Sequence, residues 1–304
     1  MKVLVTGNLG FIGHYITKAL LEAKCSVVGV DRIQRAISLK DDRVTIQKGW
    51  KLRQIDCDLT NLERVMALIR TERPDAIVHM AAQYSVKYTT ESCVRYVQNN
   101  LVAFTWLMEA AKVLNIRRFI YASSCAVSDE RKPSGLYGAT KAYNEECAHA
   151  YAHRTPGLTA IGLRFGPTYG PLCRRDQPTY IALRQYLDRG PISWCALFDR
   201  FMPYVYVADA ASTVVKLLAL TRALEPGHYV FPVEARDRPA SIANMVTEAA
   251  SYTAGAPPQW PKQHAEKPRP LYQADASVLS SILGWVPSMP MEEGVHNMID
   301  WMRA

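Results

Sequence analysis

Two short clusters in this sequence hold residue types that can do chemistry together. In Tyr137-Gly138-Ala139-Thr140-Lys141, a phenol and an ammonium stand four residues apart, shortly after Ser123-Ser124. Residues spaced i and i+4 share one helix face. An ammonium beside a phenol favours the phenolate and predicts a pKa below the usual value of about 10. Such a phenol is a general base for a hydroxyl proton while hydride leaves the same carbon, with Ser124 hydrogen-bonding the substrate oxygen. The second cluster is Thr6-Gly7-Asn8-Leu9-Gly10-Phe11-Ile12-Gly13. Gly7, Gly10 and Gly13 permit a tight turn and let a pyrophosphate approach a helix N-terminus closely. Asp31 follows eighteen residues after Gly13, where a carboxylate accepts both hydroxyls of an adenosine ribose and repels a 2′-phosphate. Arg32 beside it can attract that phosphate. NAD is the expected cofactor, with NADP as the alternative.

Both clusters need an alternating framework to bring them together, and the first half of the chain supplies one. Val3 to Thr6 reads as a strand and Phe11 to Ala23 as a helix with apolar spacing at Ile12, Ile16, Ala19 and Leu20. Strands are predicted at Ser26 to Val30, Gln54 to Asp58, Ala76 to His79, Phe119 to Ser123 and Thr159 to Arg164. Helices are predicted at Asn61 to Thr71, Glu91 to Leu114 and Tyr137 to Arg154. Such alternation implies a parallel sheet covered on both faces. After Gly166 the prolines at 167, 171, 178 and 191 weaken the pattern, until a terminal helix at about Met291 to Met302.

The bulk properties narrow the class. The 304 residues are 49% hydrophobic and 21% charged, as in a soluble globular protein and too apolar for a disordered one. No apolar run approaches the roughly 20 residues of a membrane span. The chain opens directly on a strand without a visible secretory leader, which suggests a cytoplasmic protein. A net charge of +8 is spread out, with Arg117-Arg118 and Arg174-Arg175 the notable doublets. That distribution points to an anionic small molecule rather than nucleic acid. The seven cysteines form no C-x-x-C pair and the odd number argues against a disulfide framework. His149 and His153 lie i,i+4 without a carboxylate partner, so they read as a solvated face and no metal is expected.

Taken together, the motifs resemble the extended short-chain dehydrogenases/reductases of the NAD-dependent epimerase/dehydratase family, which act on nucleotide sugars. The resemblance runs through TGNLGFIG, Asp58-Leu59, HMAAQ from His79 to Gln83, Asn99-Asn100, YASS, YGATK, LRFGPTYGP, ADAS from Ala274 to Ser277 and LGW from Leu283 to Trp285. AAQYSVKY and KAYNEECAHAYAH are similar to segments of UDP-glucuronate 4-epimerases. The resemblance implies an α/β fold: a Rossmann-type, doubly wound parallel sheet with a smaller C-terminal substrate-binding lobe. Residues 1–165 would bind NAD, with about 203–232 returning to that domain, and 166–304 would mainly form the lobe. Phe11, Ile12, Asp31, Asp58, Leu59, Ala81, Ala82, Gln83 and Asn99 would line the NAD groove. Tyr137 would be the base, Lys141 would hold the nicotinamide ribose and tune Tyr137, and Ser124 would assist. Arg174 and Lys87 would contact the substrate. Family members commonly pair two helices into a two-fold bundle. Apolar residues around much of the two long helices here therefore imply a homodimer.

Departures from the family pattern choose among its reactions. Dehydratases carry Asp-Glu directly after the active-site serine or threonine, where this chain has Cys125-Ala126. The decarboxylating branch keeps the Glu that Ala126 replaces. Met202, Ala265 and Pro268 stand where relatives grip the nucleotide, and only thirteen positions separate Ser124 from Tyr137, about half the family spacing. The resemblance therefore implies 4-epimerisation of a nucleotide-linked, acidic sugar through a 4-keto intermediate. An NAD-dependent dehydrogenase or reductase of a free sugar, sugar acid or other secondary alcohol is the alternative. An idle NAD-binding scaffold is a third, which the intact Ser124, Tyr137 and Lys141 oppose.

Overall fold

The computed structural model describes residues 1–32, 49–84, 90–127, 135–193, 199–221, 224–235, 240–260 and 277–304. Strand β1 (Lys2–Thr6) is buried along nearly its whole length and leads through the glycine turn into α1 (Phe11–Glu22). Then come β2 (Ser26–Asp31), β3 (Leu52–Asp56), α2 (Leu62–Glu72) and β4 (Ala76–His79). Asn61 caps α2 by accepting the Arg64 amide, and Arg73 closes it in the left-handed region just before Pro74. A continuous helical run follows: α3 (Thr90–Tyr96), a π turn (Val97–Val102) and α4 (Ala103–Val113). Next are β5 (Arg118–Ser124), α5 (Gly135–Arg154) and β6 (Thr159–Phe165). The chain continues through β7 (Thr168–Tyr169), α6 (Pro178–Leu187), β8 (Val205–Tyr206), α7 (Val207–Leu220) and β9 (Gly227–Val233). It ends with α8 (Ile242–Thr253), α9 (Ser277–Leu283) and α10 (Met291–Arg303).

Two compact units result. The first contains residues 1–165 and 211–232; the second contains 166–210 and 233–304. The seven-stranded sheet has the order β3-β2-β1-β4-β5-β6-β9, and every registered pair from β3 to β6 is parallel. This is the doubly wound α/β arrangement that the alternation implies. Because β1 pairs with β2 on one side and β4 on the other, the direction of strand succession reverses there. Ligand crevices form at the carboxyl ends of strands at such a reversal. The packing behind them is apolar: Leu4, Val28 and Ile77 from the strands meet Phe104, Leu107 and Met108 of α4.

Element limits differ from the sequence reading by one or two residues at several ends, and two departures matter for the site. The third strand lies at Leu52–Asp56 rather than Gln54 to Asp58, because pairing with β2 runs from Val27↔Leu52 to Asp31↔Asp56. Asp58 has already turned towards α2, its Oδ1 accepting the Thr60 amide at 3.0 Å and the Thr60 hydroxyl at 2.8 Å. The helix expected from Glu91 to Leu114 is present but interrupted by the π turn. Helix α5 is also unusual: its buried positions include Thr140, Lys141, Asn144 and Glu145. Its inner face is polar because it carries the site.

Strands β5 and β6 are held at close quarters around Gly162, which pairs with Tyr121. A Cβ at Gly162 would lie 2.6 Å from the Tyr121 hydroxyl, which is buried and bonded to His228 Nε2 at 2.8 Å. Gly162→Ala should therefore destabilise the protein by about 2–3 kcal/mol through overpacking. Urea melts should also show that adding Tyr121→Phe recovers part of that loss, since it removes the closest atom.

Candidate active site

The glycine turn joins β1 to α1 at the point where strand order reverses. Gly7 adopts φ +69°, and a Cβ there would lie 2.6 Å from the Ala81 amide nitrogen. A Cβ on Gly13 would run into the Gly7 carbonyl. These two glycines are fixed by the protein's own packing. A Cβ on Gly10 would meet only the Gly7 carbonyl, at 3.1 Å, so its outer side is a cradle that a side chain would fill. The Gly7 amide donates to Val30 at 2.8 Å, and the half-buried Phe11 and Ile12 open α1. The Asp31 carboxylate accepts the amides of Leu9 at 3.2 Å and Arg32 at 2.8 Å. Burial raises its pKa, while those amides and the Arg32 charge oppose the rise. A helix N-terminus, an open glycine and a carboxylate at the end of β2 fit the pyrophosphate and adenosine ribose of a dinucleotide.

Arg32, Asp58 and Asn99 converge beside this turn. The Arg32 guanidinium donates to Asn99 Oδ1 at 3.2 Å and stands 3.7 Å from an Asp58 oxygen, with Leu59 buried next to Asp58 in sequence. Its charge is thus directed at a carboxylate. Across the reversal, the Ala81 amide donates to Thr6 Oγ1 at 3.3 Å, and Thr6 Oγ1 shares a proton with His79 Nδ1 at 2.7 Å. Burial, with Lys141's charge second, lowers the His79 pKa to about 3, so the imidazole is neutral. Ala82 is exposed and Gln83 half-buried. Asn100 fixes Gln83 from both sides: its Oδ1 accepts the Gln83 amide at 2.7 Å and its Nδ2 donates to the Gln83 carbonyl at 3.0 Å.

Ser124, Tyr137 and Lys141 come together where β5 meets α5. Ser124 Oγ accepts the Ala126 amide at 3.1 Å, and Ser124 neighbours the Tyr137 phenol, favouring its ionised form. The ammonium of Lys141 is buried, donates to the Ala122 carbonyl at 2.9 Å and stands 5.7 Å from the centre of the Tyr137 ring. The phenol differs from the sequence expectation. Burial pushes its pKa well above 10, with Tyr84 and Cys125 adding to the rise and the Ser124 hydrogen bond opposing it. Lys141 does not offset burial because an ammonium this easily deprotonated has lost its charge before the phenol titrates. Burial in turn lowers the Lys141 pKa to about 8.

Several supporting residues were not identified from the sequence. Glu145 accepts a 2.5 Å bond from Ser123 Oγ and two 2.9 Å bonds from Arg164, directly behind the serine. Its spacing i+4 from Lys141 and i+8 from Tyr137 was the available signal. Tyr84 and Tyr96 flank the Tyr137 ring at 5.0 and 6.4 Å between centroids. Asn100 adjoins the predicted Asn99, but nothing in the spacing distinguishes their roles.

In the second unit, Arg174 makes a two-pronged pair with Asp176, both bonds 2.8 Å. Met202 is buried, bridged antiparallel to Ala240. Lys87, Ala265 and Pro268 lie outside the described residues.

Residues 3–231 match the model of the NAD dependent epimerase/dehydratase family. Protein CapI of Staphylococcus aureus is 32% identical over 72% of this chain and 69% of its own length. A probable UDP-glucuronate 4-epimerase of Rhizobium meliloti is 27% identical over 99% of this chain and 96% of its own. The Bacillus cereus UDP-glucuronic acid 4-epimerase, solved with UDP-glucuronic acid and NAD, shares the fold at a TM-score of 0.84. That match is 24% identical and covers 100% of this chain and 99% of the other.

The buried ammonium gives a stability prediction with a definite sign. Lys141 has a folded-state pKa of about 8, against an ordinary value of 10.5. Between those values the unfolded chain binds more protons, so stability rises with pH across the window and the full penalty, about 3 kcal/mol, acts below it. Lys141→Met should abolish that rise and leave the fold at least as stable at pH 7. Turnover should fall by about 100-fold or more. Denaturant melts from pH 7 to 10 check the first outcome, and activity assays check the second.

Proposed function

This chain belongs to the NAD dependent epimerase/dehydratase family, and on that premise we propose that it is an NAD-dependent nucleotide-sugar 4-epimerase with UDP-glucuronate as its substrate. The observation that carries the reading is the buried Lys141 ammonium 5.7 Å from the centre of the Tyr137 ring, with Ser124 beside the phenol, in the same unit as the glycine turn. The names of relatives aligned over nearly the whole chain support the substrate class. Cys125 and Ala126 support epimerisation over water loss, since neither provides the carboxyl group that dehydration requires.

Gly7, Gly10, Gly13, Phe11 and Ile12 would hold the cofactor pyrophosphate against α1, and Asp31 its adenosine ribose. Arg32, Asp58, Leu59 and Asn99 would bound the adenosine side, and Ala81, Ala82 and Gln83 the opposite wall. The pairing of Arg32 with Asp58 supports NAD over NADP, because a 2′-phosphate would have to compete with a carboxylate already in place. When bound, NAD supplies a reversible hydride acceptor next to carbon 4. Tyr137 takes the proton from the 4-hydroxyl, and Ser124 holds that oxygen through its hydroxyl. Lys141 would donate to the nicotinamide ribose beside its bond to the Ala122 carbonyl, and its positive charge would favour the phenolate. Return of the hydride to the other face of the 4-keto sugar, with the proton restored from Tyr137, would yield the epimer with no net oxidation. Arg174 and Lys87 would neutralise substrate anions, and residues 166–304 would mainly form the substrate lobe.

Surface chemistry supports a homodimer. Val94, Val97 and Tyr143 are exposed apolar residues on the helical run and α5, and Leu101 continues the stripe of Val94 and Val97. The expected location is the cytoplasm.

Incubation of the purified protein with UDP-glucuronate should yield UDP-galacturonate by proton NMR, with no steady accumulation of reduced cofactor. Tyr137→Phe should retain NAD and lose about 100-fold or more in turnover. Steady reduction of added NAD by a free sugar acid, with no response to UDP-glucuronate, would instead identify the dehydrogenase. Light scattering should give twice the chain mass, and Val94→Glu with Val97→Glu should give the monomer.

A further inference from the structure

The phenol of Tyr137 has aromatic neighbours to which the sequence motifs assign no role. Tyr84 leaves the Gln83 peptide that Asn100 fixes, and its ring meets that of Tyr137 edge-on, centroids 5.0 Å apart and planes at 83°. Tyr96, fully buried, approaches the same ring at 6.4 Å and 53°. Lys141 stands over that ring, and Ser124 and Cys125 face it from the end of β5. The ring is thus enclosed from α3, β5, α5 and the segment after β4. Of the two flanking tyrosines only Tyr84 is exposed, with 44% of its surface accessible.

An edge-to-face aromatic pair attracts beyond the burial of its area, through the positive ring edge meeting the negative face. That is enough to bias the rotation of a ring whose oxygen must meet a substrate hydroxyl within hydrogen-bond reach. We propose that Tyr84 is a positioning residue for Tyr137: its ring clamps the phenol edge-on and keeps water off the open side of the base. The inference rests on the reading of Tyr137 as general base, and it deepens that reading by adding a residue that acts through it. The side chain of Tyr84 carries the clamp; its main chain is set independently by Asn100. The direction of the Tyr137 pKa agrees with an enclosed ring, since burial is the main cause of its rise.

The test places 3,5-difluorotyrosine at position 137 of the full chain, with NAD present, and reads its fluorine spectrum against pH. A clamped ring gives two fluorine lines, and a freely flipping ring gives one. With Tyr84 in place two lines are expected. Tyr84→Ala should merge them and lower the titration midpoint by about half to one pH unit, as water reaches the phenolate. Tyr84→Phe keeps the ring and should keep both lines. Two lines and an unchanged midpoint in Tyr84→Ala would overturn the proposal, as would a merged line in Tyr84→Phe. With UDP-glucuronate as the probe, kcat of Tyr84→Ala should fall about tenfold or more while KM and NAD content change little. If the wild type does not turn over UDP-glucuronate, the substrate assignment fails by itself, and the fluorine spectrum still decides the role of Tyr84.

Discussion

The site depends on one buried carboxamide. Asn100 is 1% exposed, and its side chain binds both the amide and the carbonyl of Gln83 and also donates to Thr140 Oγ1 at 3.0 Å. Thr140 in turn donates to the Tyr137 carbonyl at 2.7 Å. The segment leaving β4 and the helix bearing the base are therefore joined through one residue. A buried amide deprived of partners loses about 1–3 kcal/mol per group, so neither side can shift without breaking several such bonds. The Asn144 carboxamide completes the joint when its nitrogen faces the Asn100 and Thr140 carbonyls, at 2.8 and 3.2 Å. Asn100 sits in the π turn, a local widening of the helix that recurs at functional sites.

Around that joint, the molecule keeps charge buried where most proteins exclude it. The Glu145 carboxylate is shared between Ser123 and the fork of Arg164, which satisfies it geometrically as well as electrically. The Lys141 ammonium has the Ala122 carbonyl, and a neutral His79 nearby adds no competing charge. This arrangement explains the polar inner face of α5. An apolar stripe there would pack more easily but could not present a phenol, an ammonium and a carboxylate on successive turns.

Much of this was legible from residue order because the signals are local. The glycine turn, Asp31 and the Tyr137–Lys141 spacing need only a strand, a helix and their junctions. The alternation also gave β4 its observed limits, Ala76–His79. What escaped depends on contacts distant in sequence. The register of β3 is set by β2, so its own composition misplaced it by two residues. A π turn has no distinct apolar period, and Val97 to Val102 therefore read as ordinary helix. Beyond Gly166 two local signals were present and unused: Pro178 at the first position of α6, and the capping box of Ser241 with Asn244 that starts α8. The raised pKa of Tyr137 was hidden for another reason. Spacing places Lys141 beside the phenol but says nothing of how deeply both are enclosed.

The sheet is discontinuous in the chain, and this dictates an order of events during synthesis. Strand β6 ends at Phe165, while β9, which covers its outer edge in the sheet, begins only at Gly227, about sixty residues later. At translation rates of roughly 5–20 residues per second, that edge waits several seconds for its partner. Meanwhile the nascent chain presents a strand with unpaired amides and carbonyls, the kind of edge along which chains join each other. Completion of the first unit is thus timed by the ribosome's passage through much of the second. A ribosome stalled between residues 166 and 226 leaves the β6 edge open to neighbouring chains.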